Sequence, residues 1–254
     1  MNTQPQKQFK ILLIGDDCMD VYQYGTVDRI SPEAPVPVFK YSHKRETGGM
    51  ARNVKANLEE LGCSVSYLCG TTSVKTRLID IRSKQQIVRI DNDNRSQPLL
   101  FPDIEHDLKD FDAIVISDYD KGYVSYDLIR ILTEEFIGPI FVDTKKTDLL
   151  QLETCIIKIN AQEYDRITSF PSEYTEIIVT QGDKGATWKN KKFPAETVEV
   201  ADVCGAGDTF LAALCYQYLV SSMDMEQAIT FAIKASSVTV QHLGVYAPTL
   251  EEIV

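Results

Sequence analysis

Six short runs of this chain are apolar on both parities: Lys10–Ile14, Val65–Cys69, Ala113–Ser117, Ile140–Asp143, Cys155–Ile159 and Glu176–Thr180. A strand with one wet face alternates apolar and polar side chains. Runs like these belong to strands covered on both sides. Helical patterns lie between them. Gly49–Leu61 ends at Gly62, a residue suited to stopping a helix. Tyr126–Phe136 carries Ile129, Leu132 and Phe136 on one stripe before Gly138-Pro139. Asn160 has the character of an N-cap opening a short helix. In the C-terminal third, Ala206–Tyr218 and Met225–Gln241 repeat apolar residues at three–four spacing, and Pro248 precedes a last short helix, Thr249–Val254. Alternating strand and helix signals predict an α/β fold, three layers built around a mainly parallel central sheet.

Two segments depart from that pattern. Tyr22–Tyr41 contains Pro32, Pro35 and Pro37, with Val36 and Val38 alternating. Val74–Arg82 and Gln85–Asp91 alternate around Ser83-Lys84, as a hairpin does. They predict a small antiparallel β appendage, from about 21–41 and 74–91, standing off the main sheet; the alternative is a pair of edge strands within it. No internal repeat, low-complexity tract or linker divides the chain, so 1–254 reads as a single domain with this β lid.

Composition narrows the partners. A chain of 254 residues, 44% of them hydrophobic, has ample material for one large core. Its net charge of −11 argues against nucleic acid and anionic membrane surfaces, which need clustered cations, but leaves room for a small anionic substrate. The cysteines form no C-x-x-C pair, and His43, His106 and His242 are scattered. Reduced thiols, no structural zinc and a cytoplasmic location are the expectation. Met1–Gln8 is polar and lacks the apolar stretch of a secretory signal, and no apolar run reaches the length of a membrane span.

The most informative stretch is Ala201-Asp202-Val203-Cys204-Gly205-Ala206-Gly207-Asp208-Thr209-Phe210. A β-like run, Thr197–Val200, leads into small residues at the start of a helix, where backbone N–H groups converge on an anion. Asp208 falls in the first turn. A carboxylate there either complements the helix dipole or acts as a base beside the anion. No G-x-x-x-x-G-K-[ST] string is present, and Phe210 occupies the third glycine position of a dinucleotide fingerprint.

The Gly205–Asp208 motif resembles the C-terminal signature of the ribokinase-like (PfkB) carbohydrate kinases. Gly48-Gly49-Met50-Ala51-Arg52-Asn53, Asn160-Ala161-Gln162-Glu163 and Thr180-Gln181-Gly182-Asp183-Lys184-Gly185 resemble three further marks of that family, in its order. Within it, Gly15–Asp20, Tyr24-Gly25, Val27–Val38, Thr72–Arg77, Arg89-Ile90-Asp91, Ser117–Gly122 and Asp143–Lys146 are similar to the D-glycero-β-D-manno-heptose-7-phosphate kinase branch, the kinase half of the ADP-heptose synthesis enzymes. Departures are also visible. Thr71 follows Gly70 where the family has another βα unit. Cys204 stands where Thr is common, and Thr144 where Pro is usual. The 254 residues contain no His-x-Gly-His motif of the adenylyltransferase half, so a compact, kinase-only version is the expectation.

The resemblance implies a kinase using ATP and Mg²⁺. Asp208 would be the base, with Gly205, Ala206 and Gly207 lending N–H groups to the transferred phosphoryl. Asn160 and Glu163 would orient Mg²⁺ through water. Thr180, Gly182 and Gly185 would shape the nucleotide bed, and Lys145 would reach the ATP phosphates. On the sugar side it implies Asp16, Asp20, Gly48, Gly49 and Asn53, with Arg52, Lys75, Arg77, Arg89 and Lys121 as candidate cations for a sugar phosphate. The implied partners are a phosphosugar and ATP, a second copy of the chain in a homodimer joined through the β lids, and a separate nucleotidyltransferase. A different sugar, or a catalytically weak sugar-binding subunit, are the alternatives.

Overall fold

The computed structural model describes residues 7–173 and 175–254; the reading of a polar N-terminus falls largely on 1–6, outside the described residues. In chain order the first half contains β1 (Lys10–Gly15), β2 (Asp17–Ile30), β3 (Pro37–Met50), α1 (Ala51–Glu60), β4 (Ser64–Cys69), β5 (Ser73–Asp80), β6 (Gln86–Asn92), β7 (Ala113–Asp118) and α2 (Tyr126–Glu135). The second half contains β8 (Ile140–Thr144), β9 (Ile156–Asn160), α3 (Ala161–Tyr164), β10 (Glu176–Thr180), β11 (Ala186–Trp188), β12 (Lys191–Phe193), α4 (Ala206–Val220), α5 (Met225–Thr239) and α6 (Leu250–Ile253).

The main sheet runs β12-β11-β10-β9-β8-β7-β1-β4. Its strands from β10 to β4 are all parallel, and β11 and β12 close the other edge as antiparallel hairpin strands. The both-parity apolar runs of the central strands have a direct cause; Val65–Cys69 departs from the expectation, because β4 is the edge of the sheet and is only half-buried. Ile11 and Leu13 pack on one face with Val54 and Leu58 of α1 and with α4 and α5. Leu12 and Ile14 pack on the other, with Leu128, Ile129 and Leu132 of α2. Each central strand is therefore buried twice.

A second, four-stranded sheet has the order β3-β2-β5-β6. Its β2–β3 and β5–β6 pairs are antiparallel, but β2 pairs with β5 in parallel, which differs from the all-antiparallel expectation. The reason lies in the connections. Strand β2 starts at Asp17, directly after β1, and β5 starts at Ser73, directly after β4. Since β1 and β4 are parallel neighbours, the strands that continue them leave the main sheet side by side in the same direction.

Three local expectations also shift. Helix α1 begins at Ala51 and not at Gly49, because Gly48–Met50 complete β3 against β2. Thr197–Val200 is not a strand; the chain there runs past α5, and the N–H groups of Ala201 and Asp202 both donate to the Val240 carbonyl. The short β11 and β12 had no sequence signal, as three residues are too few to show a period.

Candidate active site

The carboxyl ends of β1, β7, β8 and β9, the start of α1 and the first turn of α4 meet in one place, where open parallel sheets bind ligands. Asp208 lies at the centre. It is buried, and both of its oxygens accept hydrogen bonds: Oδ2 from Asn53 Nδ2 at 2.9 Å and Oδ1 from the Tyr119 hydroxyl at 3.0 Å. Burial pushes its pKa up to about 6; the Asn53 donor and the nearby Lys158 ammonium restrain the rise, and the Asp143 charge adds to it. Each oxygen keeps a lone pair for a further proton or donor.

The loop entering α4 is held by Asp202, whose Oδ1 accepts from the Cys204 N–H (3.0 Å) and Oδ2 from the Gly244 N–H (2.9 Å). Gly205 caps the helix at φ +81°, in the left-handed region, and a Cβ there would lie 2.7 Å from Asn53 Nδ2. Only glycine meets both conditions. Of the three amides singled out in the sequence, that of Ala206 makes a long bond, 3.4 Å, to the Val203 carbonyl.

Beside this turn, Asn160 and Glu163 form a reciprocal capping box on α3. Asn160 Oδ1 accepts from the Glu163 N–H (2.9 Å) and Glu163 Oε2 from the Asn160 N–H (2.8 Å). Lys145 pairs with Glu163 Oε1. Thr180 sits in register with Asn160 on the neighbouring strand, and Gly182 and Gly185 bracket the 3₁₀ turn that follows.

On the other side, Asp16 is buried and its Oδ2 accepts the N–H groups of Tyr119 (2.8 Å) and Lys121 (3.1 Å). Its Oδ1 has no partner among the described residues. Asp20 pairs with Arg77, which lies over the Tyr22 ring. Arg52 pairs with Asp17, Lys121 with Asp93 and Arg89 with Asp91. Gly48 and Gly49, just before the last residue of β3, lie opposite Met19 and Cys18, and Gly49 abuts the Asp20 carboxylate. The strand register sets Asp20 and Tyr22 of β2, Lys75 and Arg77 of β5, and Arg45 and Arg89 on the outer strands on one face of the second sheet. That face looks onto the α4 loop: the Tyr22 hydroxyl lies 3.8 Å from the point a Cβ on Gly244 would occupy, and Gly244 donates to Asp202 of that loop.

The structure thus gathers Asp208, Gly205, Ala206, Gly207, Asn53, Asn160, Glu163, Lys145 and Thr180 around one centre. Asp16, Asp20, Lys75 and Arg77 line its approach, while Arg52 and Lys121 are engaged in ion pairs beside it. Asn53 binds the Asp208 carboxylate directly. Tyr119, Asp143, Lys158 and Arg45 were not assigned roles from sequence. Lys158 did carry a signal, a lysine inside the apolar run Ile156–Ile159.

Comparison with known proteins decides the family. The model for "pfkB family carbohydrate kinase" matches residues 70–252. This chain belongs to the pfkB family of carbohydrate kinases. Among curated relatives, this pfkB kinase is 30% identical over 298 residues to the bifunctional protein HldE of a Nitratiruptor species, with 96% of the chain covered. It is 31% identical over 303 residues to that of Campylobacter curvus, with 97% covered. It spans 64% of the length of each relative. Both matches run over more positions than the 254 residues of the chain, so these relatives carry residues within the matched span that it lacks. Among solved structures it resembles Thermotoga maritima ribokinase (TM-score 0.71, 17% identity, 96% of this chain and 98% of that one). It also resembles Escherichia coli phosphofructokinase-2 in complex with substrates and products (0.69, 14%, 97% and 97%). These two likenesses establish the ribokinase-like α/β fold.

Proposed function

We propose that this kinase transfers the γ-phosphoryl group of ATP to the anomeric hydroxyl of D-glycero-β-D-manno-heptose 7-phosphate, giving the 1,7-bisphosphate and ADP. The observation that carries it is Asp208, a buried carboxylate in the first turn of α4 whose two oxygens are held by Asn53 and Tyr119. The HldE relatives and the Val27–Val38 stretch support the heptose; on the lid face Arg45, Lys75, Arg77 and Arg89 outnumber Asp20 and Asp91, which suits a substrate already bearing a phosphate.

Asp208 accepts the proton of the anomeric hydroxyl as that oxygen attacks the γ-phosphorus, and the bond from that phosphorus to the β–γ bridging oxygen breaks. Asn53 and Tyr119 hold the carboxylate in one orientation. Gly205, Ala206 and Gly207 direct amides and the positive helix end at the charge of the moving group. Asp16 Oδ1, buried and unpaired, is a place for a sugar hydroxyl. Thr180, Gly182 and Gly185 form the bed of the nucleotide.

Among the described residues no three His, Cys, Asp or Glu side chains converge to hold a metal directly. Glu163 and Asn160 already bond one another. This set fits a Mg²⁺ ion that keeps most of its waters, held through them by Asn160 and Glu163. The ion would supply charge neutralisation on the phosphate oxygens.

The second sheet is read as a lid over the sugar. Its outer face carries Val74, Leu78, Val88 and Ile90, with Val88 and Ile90 45% and 54% exposed, which suits a second copy of the chain in a homodimer. No helix among the described residues is long and apolar enough to cross a membrane. A cytoplasmic enzyme feeding a separate nucleotidyltransferase is consistent with this reading.

The test is ADP release from Mg·ATP with the heptose 7-phosphate, with fructose 6-phosphate and ribose as alternatives and Asp208→Asn as the blank. Turnover confined to the heptose phosphate and lost in Asp208→Asn is expected. Turnover with another sugar would move the substrate assignment, and activity retained in Asp208→Asn would remove the base.

A further inference from the structure

Lys158 is a lysine in the middle of a central strand. It points to the same side of the sheet as Ile156, into the layer occupied by α4, and is 3% exposed. Among the described residues its ammonium has one acceptor, Asp143 Oδ2 at 2.6 Å. Asp143 is buried as well, and its Oδ1 has no partner. The ammonium lies 3.0 Å from the point a Cβ on Gly207 would occupy, so it sits directly against the first turn of α4.

As a stabilising device this arrangement is poor. A buried ion pair repays its desolvation only when its remaining donors and acceptors are satisfied, and a cation at a helix N-terminus opposes the helix dipole. Lys158 has spare N–H donors, Asp143 a spare oxygen, and the cation faces the wrong helix end. An anion arriving at that end reverses the balance, because ammonium, amides and dipole then act on it together.

We propose that Lys158, held in place by Asp143, is a phosphate-positioning residue whose fixed charge lies behind the amides of Gly205, Ala206 and Gly207 and holds the phosphoryl group during transfer. This rests on the kinase reading above.

The test compares the full chain with the double variant Lys158→Met/Asp143→Asn, which removes both charges and leaves no unpaired ion, and with Lys158→Met alone. Calorimetry measures ADP affinity without and with aluminium fluoride, a planar mimic of the moving phosphoryl group, and thermal melting reports folding. ADP affinity is expected to stay within about threefold, while the gain from aluminium fluoride falls about 100-fold, the order of an oxyanion donor's loss. A folded double variant that keeps the aluminium fluoride gain overturns the proposal. So does a wild-type chain that binds ADP but gains nothing from the mimic. Equal loss of ADP affinity with and without it assigns the pair a structural role and also overturns it. A wild-type chain that binds no ADP overturns the kinase reading itself, and this one with it.

Discussion

Asn53 Nδ2 donates to Asp208 Oδ2 at 2.9 Å, joining the first turns of α1 and α4 across 155 residues of sequence. The same amide nitrogen is the atom that a side chain on Gly205 would strike. Asn57 donates in turn to the Asn53 carbonyl at 2.8 Å, so the contact is braced from within α1. One side chain thereby orients the candidate base and defines the space available to the loop entering α4. The Gly-Gly-x-x-x-Asn and Gly-Ala-Gly-Asp motifs are two halves of a single contact.

Asn53→Ala is expected to lower turnover and to move its acid limb to higher pH. A hydrogen bond to a buried carboxylate contributes about 1.5–3 kcal/mol. Its donor favours the ionised form of Asp208, so removing it raises a pKa already near 6. A pH profile of kcat in which the limb stays in place would show that the bond does not tune the base.

Gly205→Ala and Gly62→Ala separate strain from function. Both glycines have positive φ, +81° and +87°. A Cβ at Gly62 meets nothing within 4 Å, so only the backbone penalty applies, about 1–2 kcal/mol. At Gly205 the Cβ also displaces Asn53. Thermal melting is expected to show a loss in both and the larger one in Gly205→Ala, with kcat falling only in Gly205→Ala.

Much of this was legible in the sequence, for physical reasons. Strands buried on two faces must be apolar at consecutive positions, so β1 and β7–β10 announced themselves. A helix whose first turn packs against the Asn53 amide and the Lys158 ammonium must start with small residues, so Gly205–Gly207 did too. The parallel pairing of β2 with β5 was hidden, because it is inherited from the β1–β4 pair and not from the pattern of either strand. Tyr119 carries no local signal of its own; its hydroxyl meets Asp208 because β7 ends where α4 begins. Nothing local in the sequence pairs Arg77 with Asp20; their ion pair depends on strand register.

Arg77→Met tests the cationic face. The Arg77–Asp20 pair is largely buried, with side chains 16% and 8% exposed, so removing the arginine leaves an uncompensated carboxylate at a cost of about 3 kcal/mol. The double variant Arg77→Met/Asp20→Asn removes both charges and should recover stability. It is expected to retain ADP affinity while KM for the phosphosugar rises about tenfold, the effect of losing about 1.4 kcal/mol of phosphate attraction. An unchanged KM would take Arg77 off the sugar-phosphate site.

Asp208 and Asp17 should give stability opposite dependences on pH. Burial raises the folded pKa of Asp208 above its ordinary 3.8 to about 6, so the folded state binds the proton more tightly than the unfolded one. Its contribution is therefore most favourable at low pH and is lost as pH rises from about 4 through 6. Asp17 is also buried, which alone would raise its pKa, but the Arg52 guanidinium and the Thr72 and Tyr67 hydroxyls pull it below 3.8. Its contribution is fully present above pH 4 and is lost as pH falls through the lowered value. Asp208→Asn should thus gain stability relative to wild type between pH 4.5 and 7.5, by up to about 2 kcal/mol on the linkage scale of 1.36 kcal/mol per pKa unit. Asp17→Asn should be destabilised throughout that range and converge on wild type only in stronger acid. Urea unfolding at both pH values measures the two differences. A constant gap between wild type and Asp208→Asn would mean that this carboxyl titrates alike in the folded and unfolded chain, and that burial does not hold its proton.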